Sequence, residues 1–271
     1  MKCRFWGTRG SVPVSGPQYM EFGGNTPCLQ LTTQGCPEPI ILDSGTGIRE
    51  FGQHYMTHRT EVGDTIHLFL THAHWDHIQG FPFFIPAYVP GVNLHIYCTK
   101  KAKDFLSGQM TAPYFPVGMD VMMASFHFHE LAQGDEMQLG DVRIRWIPLP
   151  HPQESTGFRI DDGARSLVFA TDTEHPAEGL NEQLVGLARN TDVLIYDAQY
   201  TPDEYEAGKQ GWGHSTFHQG AEVAKASAAE RLILFSHDPS HDDAACRAIE
   251  TSCQEEFPNT WSARQGIQIE I

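Results

Sequence analysis

The sequence THAHWDHIQG at residues 71–80 directly follows an apolar, β-type run at residues 65–70. His72 and His74 are two positions apart just beyond this strand, so both side chains can point to one side. Asp76 and His77 follow where a helix can begin. Imidazole nitrogens and a carboxylate oxygen are ligands of zinc, iron and manganese. The pattern therefore predicts a metal site where the strand passes into the helix.

Further ligands are expected downstream, because four residues of one loop cannot complete the coordination of two metal ions. His151, Asp172 and His237 each come directly after an apolar strand pattern. Any one residue so placed could have a purely structural role. Three of them in sequence favour additional ligands at the same rim of the fold.

The order of predicted elements indicates a layered α/β protein with helices outside sheets. A strand, loop, helix rhythm recurs in the second half, and two sheet-plus-helix halves packed face to face would suit 271 residues. We therefore predict a single domain over residues 1–271. Strands are expected at 2–6, 28–33, 39–43, 66–71, 93–98, 125–130, 142–148, 165–170, 193–197 and 231–236. Helices are expected at 46–56, 77–88, 180–190, 216–229 and 242–254.

Composition limits the class of partner and the compartment. A formal net charge of −16 opposes tight, unselective binding of nucleic acid. The six cysteines show no CxxC spacing, which is typical of free thiols in a reducing cytosol. We find no signal-peptide pattern and no apolar run of about 20 residues. These features favour a soluble, cytoplasmic protein that does not enter a membrane.

Residues 105–124 stand apart, with four methionines, two prolines and two glycines in no clean period. They favour an irregular surface loop packed on the body. The alternative is a lid or a dimer contact, because methionine-rich apolar loops suit binding surfaces. Five nearby aromatic side chains could stack on a nucleobase or belong to the core, namely Phe83, Phe84, Tyr88, Tyr114 and Phe115.

The motifs of the chain, taken together, resemble those of the metallo-β-lactamase-fold hydrolases. The resemblance covers nearly the whole length, from GTRGSVPVSG and FGGNTPCLQL through ILDSGTGI, THAHWDH, LPHP, ATDTE and YDAQY to GWGHST and LFSHDPSHDD. Within that superfamily the chain is most similar to the ribonuclease Z-like phosphodiesterase branch, which an extra histidine, here His214, marks. The resemblance implies an αββα sandwich, with two mixed β-sheets packed face to face and helices outside.

The resemblance also implies a dinuclear centre and divides its ligands. It assigns His72, His74 and His151 to the first ion, Asp76, His77 and His237 to the second, and Asp172 to both. Asp43 in ILDSGTG would support this site from behind, where the glycines allow a tight turn. Zinc is the expected metal, and the same ligands suit manganese or iron.

His214 narrows the class of substrate. Thr216 and Gln219 form a T-x-x-Q capping box, so His214 lies beside a helix N-terminus that favours an anion such as phosphate. The alternative is a histidine that only orders its loop. In the branch that the chain resembles, this histidine contacts the scissile phosphate and assists the leaving group. The position of its acidic partner is occupied here by Asp197.

The leading prediction is a phosphodiesterase whose nucleophile is a water shared by two metal ions, with Asp76, Asp197 and His214 as catalytic residues. The chain lacks a long Gly- or Lys-rich insertion with which to grip transfer RNA. We therefore expect a small, possibly cyclic, nucleotide or related phosphodiester. The first alternative is a lactonase or thioesterase with the same metals, and the second is a non-catalytic or redox di-metal protein. A homodimer is the assembly that the resemblance suggests.

The remaining histidines show no complete ligand pattern. His127 and His129 alternate with Phe126 and Phe128, as on the wet face of a half-buried strand. His67 and His95 lie within strands. We predict no metal role for them.

Overall fold

The computed structural model describes residues 1–271 as two seven-stranded sheets with helices on their outer faces. This architecture confirms the predicted αββα fold class. The first sheet contains β1 (Lys2–Gly7), β2 (Cys28–Thr32), β3 (Ile40–Leu42), β4 (Thr65–Phe69), β5 (Asn93–Cys98), β6 (Ser125–Glu130) and β14 (Gln268–Glu270). The second contains β7 (Glu136–Leu139), β8 (Val142–Leu149), β9 (Ser155–Asp162), β10 (Arg165–Ala170), β11 (Val193–Asp197), β12 (Arg231–Phe235) and β13 (Thr260–Ser262).

Both sheets are mixed. In the order β14-β1-β2-β3-β4-β5-β6, pairing is antiparallel up to β3 and parallel from β3 to β6. In the order β13-β12-β11-β10-β9-β8-β7, pairing is parallel from β13 to β10 and antiparallel beyond it. The parallel strands end at a common edge, so the loops that follow them meet there. This edge carries the predicted site.

The helices are α1 (Ile48–Val62), α2 (Trp75–Ile78), α3 (Ala102–Gly108), α4 (Glu182–Ala188), α5 (Pro202–Glu204), α6 (Phe217–Ser227) and α7 (Asp243–Glu256). The predicted capping box begins α6: the Thr216 hydroxyl accepts from the Gln219 amide, and the Gln219 side chain accepts from the Thr216 amide. Side-chain oxygens of Asn181 and Asp242 accept from the first turns of α4 and α7. Each cap pairs backbone N–H groups that a helix start leaves free.

Three apolar clusters explain the layering. One lies between the sheets and includes Phe69, Phe158 and Phe235. A second packs α1 and α3 on the first sheet, and a third packs α4, α6 and α7 on the second. Alternate residues of β4 show how one strand serves two clusters, because Phe69 faces the other sheet and Leu68 faces the helices.

The structure corrects the predicted helix over 77–88. Only Trp75–Ile78 forms an α-helical turn, and two separate 3₁₀ turns follow at Phe81–Phe83 and Ile85–Tyr88. Pro82 and Pro86 lack the N–H group that a continuous helix needs, and each lies at the start of one of these turns. The apolar spacing over residues 77–88 thus reflects a largely buried segment of short, separate turns and not a continuous helix.

Residues 105–124 are less irregular at their start than predicted, because α3 extends through Gly108. Leu106 and Met110 are buried, and the segment continues to a 3₁₀ turn at Met119–Val121. Tyr114 and Met123 remain exposed. The segment packs on the body through its buried members, and its role as a lid or dimer contact stays a prediction.

Candidate metal centre

The loop after β4 buries most of the side chains that the sequence singles out. His72 and His77 are 1% and 0% exposed, and Asp76 is 6% exposed. Asp76 and His77 lie in the single turn of α2, and His74 is the residue before it. Polar groups removed from water in this way cost free energy unless they find partners. Several of these partners come from the second sheet.

β8 and β10 run in the same direction, and their ends bring His151 and Asp172 to this loop. Three overlapping groups result, in each of which one candidate ligand atom per residue lies within 4.8 Å of the others. The groups are His72/His74/His151, His72/His77/Asp172 and His151/Asp172/His214. Shared members join them into one cluster at the edge of both sheets.

The inward-facing atoms of this cluster fit divalent metal ions. The Nε2 atoms of His72 and His77 are buried without a hydrogen-bond partner, 3.7 and 3.2 Å from the carboxylate oxygens of Asp172. Nδ1 of His74 and Nε2 of His151 lie 3.0 Å apart. Buried polar atoms are normally paired, and converging imidazole nitrogens beside a carboxylate match the ligand chemistry of zinc, manganese and iron.

The outer nitrogens of His72, His77 and His151 each have a hydrogen-bond partner. Nδ1 of His77 donates to Asp43 Oδ2 at 2.8 Å, and Nδ1 of His151 donates to the Gly213 carbonyl at 2.8 Å. Asp43 Oδ1 also accepts from the amide of Thr71 at 2.8 Å, and the Thr71 hydroxyl lies 3.0 Å from Nδ1 of His72. Such outer bonds select the ring tautomer and leave the inner nitrogen available to a metal. Asp43 therefore lies where the sequence predicts it.

Burial and neighbouring charges act in opposite directions within the cluster. Burial, with the nearby His77, holds the pKa of His72 well below its usual value, and burial with His151 lowers the pKa of His74. Burial also opposes a charged His77, but the adjacent carboxylates, led by Asp172, outweigh it and raise its pKa. The lowered pKa values of His72 and His74 favour neutral imidazoles, and a neutral imidazole with a free lone pair is the form that binds metal.

Asp76 faces the cluster from its other side. Its Oδ2 lies 3.3 Å from Nε2 of His77 and accepts from the backbone amide of Ser11 at 2.8 Å. The GTRGSVPVSG stretch thus reaches the site through a backbone N–H group. Because the donor is not a side chain, residue type alone gave no signal for Ser11.

His214 lies against the same cluster, with a carboxylate behind it. Its Nδ1 donates to Asp197 Oδ2 at 2.8 Å, and its Nε2 is 3.9 Å from Asp172 Oδ1. Burial disfavours the charged ring, but Asp197 outweighs burial and raises the pKa of His214 to about 9. Asp197 Oδ1 also accepts from the amides of Gln199 and Ser215, at 3.1 and 3.2 Å. The structure therefore brings the predicted pair together.

Glu174 is a residue that the sequence analysis missed. One carboxylate oxygen accepts from the Tyr205 hydroxyl and the Gly211 amide, each at 2.6 Å, and the other from the Gly213 amide at 2.8 Å. Gly213 is the residue whose carbonyl fixes His151, and a Cβ there would meet Nδ1 of His151 at 2.1 Å. The only hint in the sequence was the acidic residue that ends ATDTE.

His237 lies apart from the three ligand groups. Its Nε2 donates to the Ala263 carbonyl at 2.9 Å, and its ring packs edge-on against Phe22. Burial, followed by the charge of Arg9, lowers the pKa of His237 to about 3. Arg9 itself is fully buried and donates to the carbonyls of Gly23 and His241. The structure does not bring His237 to the cluster, and its assignment as a ligand stays a prediction.

Three strand ends at this edge adopt an unusual backbone. Asp43 after β3, Asp172 after β10 and Ser236 after β12 all have positive φ, between 54° and 63°. This left-handed region costs energy for residues with a Cβ, although aspartate tolerates it better than most. Such conformations cluster at functional sites, where they aim a side chain. Here they turn Asp43 and Asp172 toward the histidines.

Comparison with known proteins agrees with the fold. A family model described as the β-lactamase superfamily domain matches residues 39–237. Ribonuclease BN of Cronobacter sakazakii is 26% identical, with 100% of both chains covered. The structure of human tRNase Z, short form, gives a TM-score of 0.69 at 21% identity and covers 100% of this chain and 99% of that one. The structure of a diphosphatase from the PhnP family gives a TM-score of 0.70 at 17% identity and covers 100% of this chain and 97% of that one.

The chain belongs to the β-lactamase superfamily and is a hydrolase of the metallo-β-lactamase fold, similar to the ribonuclease Z branch. The motif resemblance is thereby confirmed at the level of family and fold. The His and Asp groups of the cluster are those that could hold the divalent metal of such a hydrolase. None of the helices is both long and apolar enough to cross a membrane.

Proposed function

We propose that the protein is a two-metal phosphodiesterase that hydrolyses a small nucleotide or a related phosphodiester. The observation that carries this proposal is His214, a buried imidazole bonded to Asp197 on one side and 3.9 Å from Asp172 on the other. Asp197 raises the pKa of this imidazole to about 9, which favours its charged form. A fixed cation beside a metal cluster suits an anionic substrate better than a neutral lactone or thioester.

The helix behind His214 adds to this preference. α6 begins at Phe217, just after His214, and its eleven residues direct the positive end of the helix dipole toward the same rim. The capping box fixes the chain at this point. A phosphoryl group between α6 and the histidine cluster would therefore meet favourable charge on both sides.

The cluster would bind two metals through two sets of side chains that share Asp172. We assign His72, His74 and His151 to one ion, Asp76 and His77 to the other, and Asp172 to both. Divalent ions bound there, for which zinc is the first choice, would supply Lewis-acid stabilisation and a water of lowered pKa. His237 is the predicted additional ligand, although its Nε2 is bonded to Ala263 in this structure.

The chain's own residues provide the remaining chemistry. His214 would donate its Nε2 proton to the leaving oxygen while Asp197 keeps the ring charged and oriented. Asp76, held by the Ser11 amide, would position the attacking water as well as bind metal. His214 and the ligand set would thus act on opposite sides of the scissile bond.

Exposed aromatic residues border this cluster and suit a nucleobase. Trp75 directly follows His74, Trp212 directly precedes Gly213, and both are exposed. The ammonium of Lys209 lies 4.3 Å from the centre of the Trp212 ring. Base stacking on tryptophan, with a cation nearby for phosphate, is a common form of nucleotide recognition. Of the five aromatic residues singled out in the sequence, Phe84 is fully buried, whereas Phe83 and Tyr114 are exposed.

The test is a parallel assay of the purified protein with added zinc, manganese or iron. Substrates should include cyclic nucleotides, linear phosphodiesters, bis(p-nitrophenyl) phosphate, an aryl lactone and precursor transfer RNA. We expect hydrolysis of the small phosphodiesters and a higher KM for nucleotides in Trp212→Ala. Turnover of the lactone alone would refute the proposal, and preferential cleavage of transfer RNA would refute its choice of a small substrate.

A further inference from the structure

A second group of metal-ligand side chains lies away from the catalytic cluster. Cys36 and Glu38, in the connection between β2 and β3, meet His67 in the middle of β4. One ligand atom from each lies within 4.8 Å of the other two. Cys36 and His67 are both buried, and Sγ of Cys36 donates to Glu38 Oε2 at 3.2 Å. None of the other five cysteines belongs to such a group.

The connection that carries Cys36 is held in place on both sides. The Thr33 hydroxyl donates to the Cys36 carbonyl at 2.8 Å and accepts from the Cys36 amide at 3.2 Å. Asp162, at the end of β9, accepts from the amides of Gln34 and Gly35 at 2.9 and 3.0 Å. The thiol is therefore presented by an ordered turn, which lowers the entropy cost of closing a ligand shell around an ion.

Further histidines adjoin His67 across the parallel strands. His67 pairs with His95 on β5, and their ring centres are 5.2 Å apart. His95 Nδ1 in turn lies 3.0 Å from His129 Nε2. Burial, followed by the neighbouring His95, lowers the pKa of His67 to about 4, so its imidazole is neutral at neutral pH. A neutral imidazole has the free lone pair that a metal requires.

The chemistry of this group matches a borderline-soft divalent ion. Thiolate, imidazole and carboxylate are the three ligand types of protein-bound zinc, with bonds of about 2.0–2.3 Å. Burial, with Glu38 beside it, raises the pKa of the Cys36 thiol to about 12, so the metal-free group retains its proton. Binding would displace that proton and place the ion between the sulfur and the carboxylate that now share it.

We propose that Cys36, Glu38 and His67 bind one zinc-class divalent ion, with water in the fourth position, and that this ion fastens the β2–β3 connection to β4. The site is separate from the catalytic cluster, whose candidate ligands are only histidine and aspartate. It does not depend on the proposed phosphodiesterase activity. The ion would join two elements of the fold, because Cys36 and Glu38 come from the β2–β3 connection and His67 comes from β4.

Cobalt provides a direct test, because only a thiolate ligand gives a sulfur-to-cobalt charge-transfer band in the near ultraviolet. The protein is stripped of metal and titrated with Co²⁺. We expect this band in the wild type and its disappearance when Zn²⁺ displaces the bound Co²⁺. In Cys36→Ser we expect the band to be lost and the protein to bind one equivalent of metal less. Cys253→Ser is the matched control, because Sγ of Cys253 on α7 lies near the Thr260 hydroxyl, far from this group.

Two further variants keep the test decisive if Cys36→Ser folds poorly. Glu38→Gln, at a half-buried position, should bind Co²⁺ more weakly while it keeps the band. His67→Ala should do the same, whereas His127→Ala, an exposed histidine outside the group, should leave the titration unchanged. No charge-transfer band in the wild type, or a band that persists in Cys36→Ser, would overturn the proposal whatever the phosphodiesterase assay shows.

Discussion

The two halves of the candidate metal centre are built in different ways. The first sheet supplies His72, His74, Asp76 and His77 from one loop, and a hydrogen bond from Asp43 supports them. The second sheet supplies its members from separate places: His151 and Asp172 follow β8 and β10, Asp197 ends β11, and His214 lies in the loop before α6. One half is a compact sequence motif, whereas the other exists only because β8, β10 and β11 end at one edge.

This difference suggests a division of labour. The compact half holds the Nε2 atoms of His72 and His77, which are buried without a hydrogen-bond partner, as metal ligands would be. The dispersed half adds His214 and Asp197, which are bonded to each other. We expect variants in the first half to remove metal, and variants in the His214 pair to impair turnover with metal retained.

The largest effect is expected from His72→Ala or His77→Ala. Each removes an inward Nε2 atom from the centre of the cluster. Phosphodiesterase activity should be almost abolished. This loss should exceed the decrease of about 10²–10⁴-fold that is typical when a general acid is removed. Metal content, measured by mass spectrometry, should fall in parallel, and His218→Ala on the exposed face of α6 serves as the control. Full metal content in either variant would contradict the assignment.

His214→Ala should lower turnover by about 10²–10⁴-fold while the metal remains bound. The loss should be greatest for substrates with poor leaving groups, such as nucleotides, and smaller for bis(p-nitrophenyl) phosphate, because a nitrophenolate leaves without a proton. An equal loss for both substrates would argue that His214 binds phosphate and does not protonate the leaving group.

A matched pair of variants, at residues that hydrogen-bond to each half of the centre, should distinguish the roles of the two halves further. Asp43→Asn weakens the bond to Nδ1 of His77, and Glu174→Gln weakens the bonds that fix the loop carrying Gly213 and His214. Each substitution should lower metal affinity or turnover by about 10–100-fold. The first should act mainly on metal affinity, measured by chelator competition, and the second mainly on turnover. The opposite pattern would show that the halves are not separable.

The smallest effect is a shift in the pH profile. Below its pKa of about 9, His214 carries the proton that a general acid needs, and activity should fall as pH rises through that value. In Asp197→Asn the carboxylate that raises this pKa most is gone, and only the more distant Asp172 and Asp76 still oppose burial, so the pKa drops. The alkaline limb of kcat/KM should therefore move to lower pH, while a Gln199→Ala control should keep the wild-type limb. An unmoved limb in Asp197→Asn would exclude His214 as its source.

Much of this arrangement was predictable because it depends on local sequence. All ten predicted strands are present, and the capping residues Thr216 and Gln219 begin α6 as expected. The four missed strands, β7, β9, β13 and β14, are short or polar, and β13 and β14 also pair with strands distant in sequence. β9 reads STGFRIDD, which has too little apolar alternation to be distinguished from a loop.

Prediction of the site residues was limited in the same way, because it too depended on the local sequence around each residue. His72, His74 and His77 could be identified from spacing alone, because one loop places them together. Glu174 could not, because the backbone amides that donate to its carboxylate are brought near it only by folding. The ring orientation of His237 depends on the distant Ala263 carbonyl, which no local pattern reveals.

The pairing of β14 with β1 has a consequence for synthesis. Lys2 lies opposite Glu270, so the two strands at this edge come from opposite ends of the sequence. While the ribosome makes the chain, β1 leaves the exit tunnel early, but its outer backbone groups gain their partners only when residue 270 emerges. Until then β1 is an exposed edge, which is prone to pair with other chains. Nascent chains held before β14 should therefore depend most on chaperones.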